Sequence, residues 1–179
     1  MPYYVSRGEV TSGIILDNDS MYVYYGGTAD ETAVNSNGYM YVSSGGTATS
    51  ATVNSGGEMY VSSGGTATEI TADTGAYLGL TVAPDTYIQG TSAGSAFLVK
   101  NAFISDYTVK FGSWISVSSG TANYTNVNGG SMSIRSGGTA NHTTVNFGGR
   151  LGIASGGCRA RRSPAGLDSA TRKTSSDSS

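Results

Sequence analysis

Along most of this chain, apolar and polar residues alternate in short runs, and the runs recur. Met21-Tyr22-Val23, Met40-Tyr41-Val42 and Met59-Tyr60-Val61 stand 19 residues apart, each followed by a Gly-Gly-Thr-Ala stretch. The same spacing returns between Met132 and Leu151. Ile115 to Ala122 is a copy lacking one glycine, and Tyr4 to Gly8 an eroded earlier one. A second motif lies inside each unit: Val34-Asn35, Val53-Asn54, Val127-Asn128 and Val145-Asn146 each precede a turn rich in Gly, Ser or Asn. One unit therefore reads as two short extended runs, each closed by a glycine turn.

Successive side chains of a strand point to opposite faces. Met40 and Val42 thus share one face and Tyr41 the other; in Thr49–Val53, positions 49, 51 and 53 share a face. The inward set becomes Met40, Val42, Ala51 and Val53, repeated as Met59, Val61, Ile70 and Ala72. Outward lie a column of Tyr22, Tyr41 and Tyr60 and another of Glu31, Ser50 and Glu69. About four modest apolar side chains per unit cannot offset the ordering of about nineteen residues. Units that stack end to end bury one another's faces and pair their backbones layer on layer, which is the physics of a solenoid. The fold expected is all-β, a β-solenoid of about 19-residue repeats. At ~4.8 Å per layer, roughly eight units make a rod on the order of 40 Å long.

Two stretches depart from the pattern. Residues 74–108 carry larger apolar side chains and Pro84, and read as two irregular coils or one coil with an inserted loop; an independent small subdomain is the alternative. After Gly157 the repeat stops. The division expected is a solenoid over 1–157 and a disordered basic, Ser-rich tail over 158–179.

Composition narrows the class. Charged residues are 12% of the chain and glycine contributes 27 residues, while Leu, Glu and Lys are scarce, which disfavours long helices. Residues 1–157 hold five basic and ten acidic side chains, a net −5. Residues 158–179 hold five basic and two acidic, a net +3. A mildly acidic body speaks against a nucleic-acid partner. The single cysteine, Cys158, leaves the body without covalent staples. No run approaches the ~20 apolar residues of a membrane-spanning helix, so direct membrane insertion is not expected. The N-terminal residues lack the basic and apolar regions of an export signal.

Candidate chemistry is sparse. His142 has no second His or Cys nearby, so neither a zinc site nor a Ser-His-Asp arrangement can be built on it. Glu31, Glu58, Glu69, Asp73 and Asp85 do not recur in the pattern of calcium-binding β-rolls, and calcium between coils stays only an alternative. No metal, cofactor or catalytic residue is expected, and no enzymatic role. The Tyr22/Tyr41/Tyr60 column is either a contact surface for sugars or proteins, or a cross-coil ladder that steadies the stack. Paired threonines at Thr47/Thr49 and Thr66/Thr68 raise an ice-binding array, broken by Asp30, Asn123 and Asn141.

The run from Tyr41 to Gly57, with Ser-Gly-Gly-Thr-Ala and Val-Asn-Ser-Gly-Gly in alternation, resembles the passenger repeats of the adhesin involved in diffuse adherence and related autotransporters. The resemblance covers most of residues 4–157. It implies a right-handed parallel β-helix displayed at the cell surface on the outer membrane, or extracellularly, with roles in adhesion, autoaggregation and biofilm formation. Implied partners are glycans or proteins of host or bacterial surfaces, further copies of itself, and a glycosyltransferase, since some relatives carry heptose on repeat serines. Ser44, Ser63, Ser119 and Ser136, each just before a turn glycine, would be the acceptors. The family's export signal and translocator barrel are absent from this stretch. The rival readings are a structural spacer and a phage or secreted fibre without adhesive activity.

Overall fold

The computed structural model describes residues 1–160, and among them there are 24 strands and no helix. The strands form a parallel solenoid of about eight turns. One sheet runs its whole length through Tyr3–Val5, Ser20–Val23, Tyr39–Val42, Glu58–Val61, Tyr77–Val82, Trp114–Val117, Ser131–Ile134 and Arg150–Ile153. Met21, Met40 and Met59 are direct neighbours across it, as are Val23, Val42 and Val61. The 19-residue spacing is thus a spacing between layers.

Each regular coil has three strands rather than two runs. Thr47–Thr49 and Thr52–Val53 are separate, because Ser50 between them adopts φ 53°. The expected continuous alternation across 49–53 fails there. Ala48 joins Ala51 and Val53 in the core, while Thr49 is half-exposed. A left-handed residue reverses which side the next side chain takes, so the chain turns a corner without leaving the layer. The same corner is made by Gly13, Glu31, Glu69, Asp106, Tyr124 and His142. The corner amide stays in the ladder: Glu31 N–H donates to Thr49 C=O and Ser50 N–H to Thr68 C=O.

The paired glycines answer two different demands, shown by Gly45 and Gly46. Gly45 has φ 72°, a conformation a side chain disfavours. A Cβ on Gly46 would lie 2.5 Å from the Val23 carbonyl oxygen of the preceding coil. Both amides and carbonyls of such turns also continue the stack: Gly26 N–H donates to Gly45 C=O and Gly45 N–H to Gly64 C=O, each at 2.8 Å. The asparagine turn carries a side-chain rung, Asn54 Nδ2 donating to Asn35 Oδ1 at 2.7 Å.

The middle is a seam. On the first face, Tyr77–Val82 is long enough to pair residues 77–80 with the strand before it and 79–82 with Trp114–Val117. The register steps by two residues, which keeps every inward side chain inward; a step of one would invert them. On the other faces the chain doubles back. Tyr87–Ser92 continues the parallel ladder, then Ser95–Val99 pairs with it antiparallel. Ala93 and Gly94, both with positive φ, close that two-residue hairpin. Asn101 and Ala102 close a second reversal, over which Lys100 and Phe103 exchange two backbone hydrogen bonds. Beyond the seam the stack resumes through Phe103–Ser105, Thr121–Asn123, Thr139–Asn141 and Cys158–Ala160. Residues 158–160, expected in the tail, therefore carry the ladder on; the rest of the expected tail lies outside the described residues.

The core is one continuous column. Lower coils contribute Met, Val and Ala; the seam adds Leu78, Leu80, Ile88, Phe97, Val99, Ile104 and Tyr107. These larger side chains fill the space that the additional antiparallel strand creates.

Candidate functional site

The outward tyrosines form one ring column. Centroids stand 5.6 Å apart for Tyr4–Tyr22, 6.0 Å for Tyr22–Tyr41 and 5.1 Å for Tyr41–Tyr60. The column then passes over Gly79 to Trp114, 6.1 Å from Tyr60. The register places Gly79 between those two rings, and a Cβ there would stand 2.3 Å from the Tyr60 ring. The rings are stacked at interplanar angles of 17° to 26°, except that Tyr41 and Tyr60 are tilted by 33°, so much of each face is turned toward its neighbour along the shaft. The Tyr60 phenol, half-buried, donates to the Glu58 carboxylate; burial first, then that hydrogen bond and charge, raises its pKa above the usual tyrosine value. The structure thus brings Tyr22, Tyr41 and Tyr60 together, joined by Tyr4 and Trp114, which reading the repeat alone did not include.

The serines are not equivalent. Ser44, Ser63, Ser119 and Ser136 are all exposed at the turn after the first face. Ser44 and Ser136 rise beneath the glycine of the next coil: a Cβ on Gly64 would stand 2.5 Å from Ser44 Oγ, and one on Gly156 would stand 2.9 Å from Ser136 Oγ. Ser119 lies likewise beneath Gly137, its Oγ 3.0 Å from the Cβ position there, but has φ 53°. With one glycine missing from its turn, it takes the left-handed conformation itself. His142 is exposed at the corner, its ring 4.6 Å from that of Tyr124.

The seam opens a groove that no motif announced. It has a volume of about 740 Å³. At this level the corner ridge is interrupted: Ala67 pairs with Ile88 and Ile70 with Gly90, so the upper strand spends one residue where the lower spends two and makes no corner. Above it, no strand ladder joins Ser95–Val99 to Phe103–Ser105 beyond the Lys100–Phe103 bridge. The groove lies in this gap. Ala96, Leu98 and Phe103 form its exposed apolar wall, while Phe97 between them turns its ring into the core; Gln89 and Thr91 form its polar side, and Glu69 and Asp106 its two rims. Leu98 is 45% and Phe103 44% exposed. Ser50 Oγ donates to Glu69 at 2.9 Å, Ser105 Oγ to Asp106, and Tyr87 Oη to Gln89 Oε1 at 3.2 Å. Lys110 stands in a smaller adjoining cleft, its Nζ 3.4 Å from the Ser92 carbonyl. The one sequence signal for the groove was the run of larger apolar residues at 97–104, which says that something unusual is built there but not that a cleft results. Among the described residues, no three His, Cys, Asp or Glu side chains gather as a metal site.

Residues 3–57 match the family described as adhesin of bacterial autotransporter system, probable stalk. The chain matches none of the curated proteins. Among solved structures it is similar to the crystal structure of a TibC-catalysed, hyper-glycosylated TibA fragment, with 25% identity over 92% of this chain and 93% of that one and a TM-score of 0.45.

Proposed function

We propose, on the premise that residues 3–57 are stalk repeats of an autotransporter adhesin, that the whole solenoid is a stretch of such a passenger. It serves as a display shaft at the bacterial surface, contributing to adhesion, autoaggregation or biofilm formation without catalysis. The observation that carries this reading is register. The family-matched coils continue into the rest of the solenoid through one parallel sheet, from Tyr3–Val5 to Arg150–Ile153. A shaft of this kind brings the same surface position round in every layer, and below the seam repeats its occupant in Tyr22, Tyr41 and Tyr60, which suits many weak contacts acting together.

In the same reading, Ser44, Ser63 and Ser136 are exposed acceptors for a surface-modifying glycosyltransferase, with Ser119 a poorer one because of its strained backbone. The tyrosine column adds stiffness as well as surface, since its ring faces are spent on one another. That observation favours a spacer share in the role.

The test is display of the chain on a bacterial outer membrane by fusion to a translocator barrel. Faster cell settling and retention on epithelial or abiotic surfaces, relative to the barrel alone, are the expected results. Display without either leaves the spacer reading. Replacing Tyr22, Tyr41 and Tyr60 together by Ser separates the two roles of the column: lost retention at unchanged stability assigns it contact, lost stability assigns it structure.

A further inference from the structure

We infer that the seam groove is a saccharide site, taking one uncharged pyranose of a glycan between Phe103, Gln89 and the rim carboxylates Glu69 and Asp106. The inference rests on the adhesive reading of the shaft and names what one part of it would hold.

The column positions make the case first. Phe103 stands in register with Thr121, and Thr121 with Thr139. In the lower stack the same column holds Thr28, Thr47 and Thr66, and Tyr87 follows in register with Thr66 at the seam. A threonine suffices in the regular coils, yet at the seam two rings replace it: Tyr87, half-buried, and Phe103, which stays 44% exposed. Exposed rings are ordinary on this shaft, Phe111 and Phe147 being more exposed than Phe103; what sets Phe103 apart is that it shares a concavity with the exposed Leu98 and Ala96, an apolar patch of the kind that takes a ligand. The C–H face of a pyranose is apolar and lies flat on such a ring, whose π face is weakly negative and attracts those hydrogens.

The polar groups fit the rest of a sugar. Glu69 and Asp106 each receive one serine hydroxyl, which orients the carboxylate and leaves its other lone pairs to accept hydrogen bonds. Hydroxyl groups donate to such acceptors. Gln89 has its Oε1 taken by Tyr87 Oη, so its amide N–H groups remain for a ring or hydroxyl oxygen. Acceptors at both rims and donors on one side match a group that carries hydroxyls around an apolar body.

Charge decides among sugars. The residues lining the groove include two acids and no Lys or Arg. The nearest cations stand outside it: Lys110 in the adjoining cleft and Lys100, exposed and paired with Phe103 across the two-residue reversal. Between Glu69 and Asp106 an anionic sugar would meet like charge that the single Lys100 does not cancel, so the uncharged hexose or N-acetylhexosamine is favoured.

The test uses the full 179-residue chain and saturation-transfer NMR with lactose, chitotriose, sialyllactose and an Arg-Leu peptide as probes. Saturation of pyranose ring protons in lactose or chitotriose, with little in sialyllactose, is expected. Phe103→Thr, which installs the residue the neighbouring coils carry, and Glu69→Gln should each weaken binding at least ten-fold with the unfolding midpoint unchanged. The inference is overturned if neither neutral probe receives saturation, if sialyllactose does as well as lactose, or if both variants bind like the parent. Stronger saturation of the peptide overturns it in favour of a cationic partner. Its failure is separable from that of the display reading: displayed cells that still aggregate and adhere with Phe103→Thr leave the shaft in place and remove only the sugar site.

Discussion

The coils below the seam and those above it share one core and differ in almost everything outside it. Below, Met21, Met40 and Met59 repeat without drift at 19 residues; above, the first face steps from Trp114 to Ser131 and then to Arg150, 17 and 19 residues. Below, the outward column is Tyr4, Tyr22, Tyr41 and Tyr60; above Trp114 it becomes Ser131 and Arg150. The corner holds Glu31, Ser50 and Glu69 below, Asp106, Tyr124 and His142 above. Yet Ile115, Val117, Met132 and Ile134 are as buried as Met40 and Val42. The solenoid constrains what faces inward and the glycines that let coils approach. It leaves the corners and outer columns free to carry different chemistry.

The sharpest way to break that statement is through the second glycine. Gly57→Val drives a side chain against the Val34 carbonyl, 2.3 Å from the Cβ position, and should cost ~3 kcal/mol or more by denaturant unfolding. Gly152→Ala, with nothing within 4 Å of its Cβ position, should cost no more than a few tenths. Equal losses would show that glycine is kept for some reason other than coil approach. Next, Met59→Ala below and Met132→Ala above should each cost about 2–5 kcal/mol, because both leave a cavity in a fully buried column. A loss confined to one of them would mean that the two stacks unfold separately.

Thr125 sharpens the comparison from the upper side. Its hydroxyl is buried without a hydrogen-bond partner, at the inward position after the corner where the lower stack has Thr32, Ala51 and Ile70. Thr125→Val keeps the shape and removes the orphan, and should raise stability by about 1 kcal/mol. The seam adds a pH signature. Burial of Tyr107 raises its phenol pKa well above the usual value, with a hydrogen bond to Ser92 acting the other way. The unfolded chain then loses that proton near pH ~10 while the folded chain holds it. This contribution is fully present below pH ~10 and is lost as pH rises toward the folded pKa. Tyr107→Phe should flatten the alkaline fall in stability measured by circular dichroism. Smallest of all, Ser50→Gly relieves a left-handed serine but loses its hydrogen bond to Glu69, so the net gain should stay within about 1 kcal/mol.

Several features were readable from residue order because they are set by short-range rules. The alternation in Met40-Tyr41-Val42 names the inward side chains, and a fixed recurrence of that triplet can only be satisfied by copies lying on one another. Cβ-free residues recurring in pairs announce turns. The corner at Ser50 was not readable: serine there, glutamate at 31 and 69 and histidine at 142 share no side-chain property, only a backbone angle that stacking imposes. The alternation through 49–53 was therefore misjudged.

The groove lay further still from view. It exists because Gln89 alone stands opposite Thr68 and Glu69, because two tight reversals insert an antiparallel strand, and because Glu69 and Asp106, 37 positions apart, end up at its two rims. Periodicity fixes what every layer must do alike, since each layer meets the same neighbour. Where one layer departs, its consequences depend on how the strands above and below accommodate it, and only the assembled stack defines that.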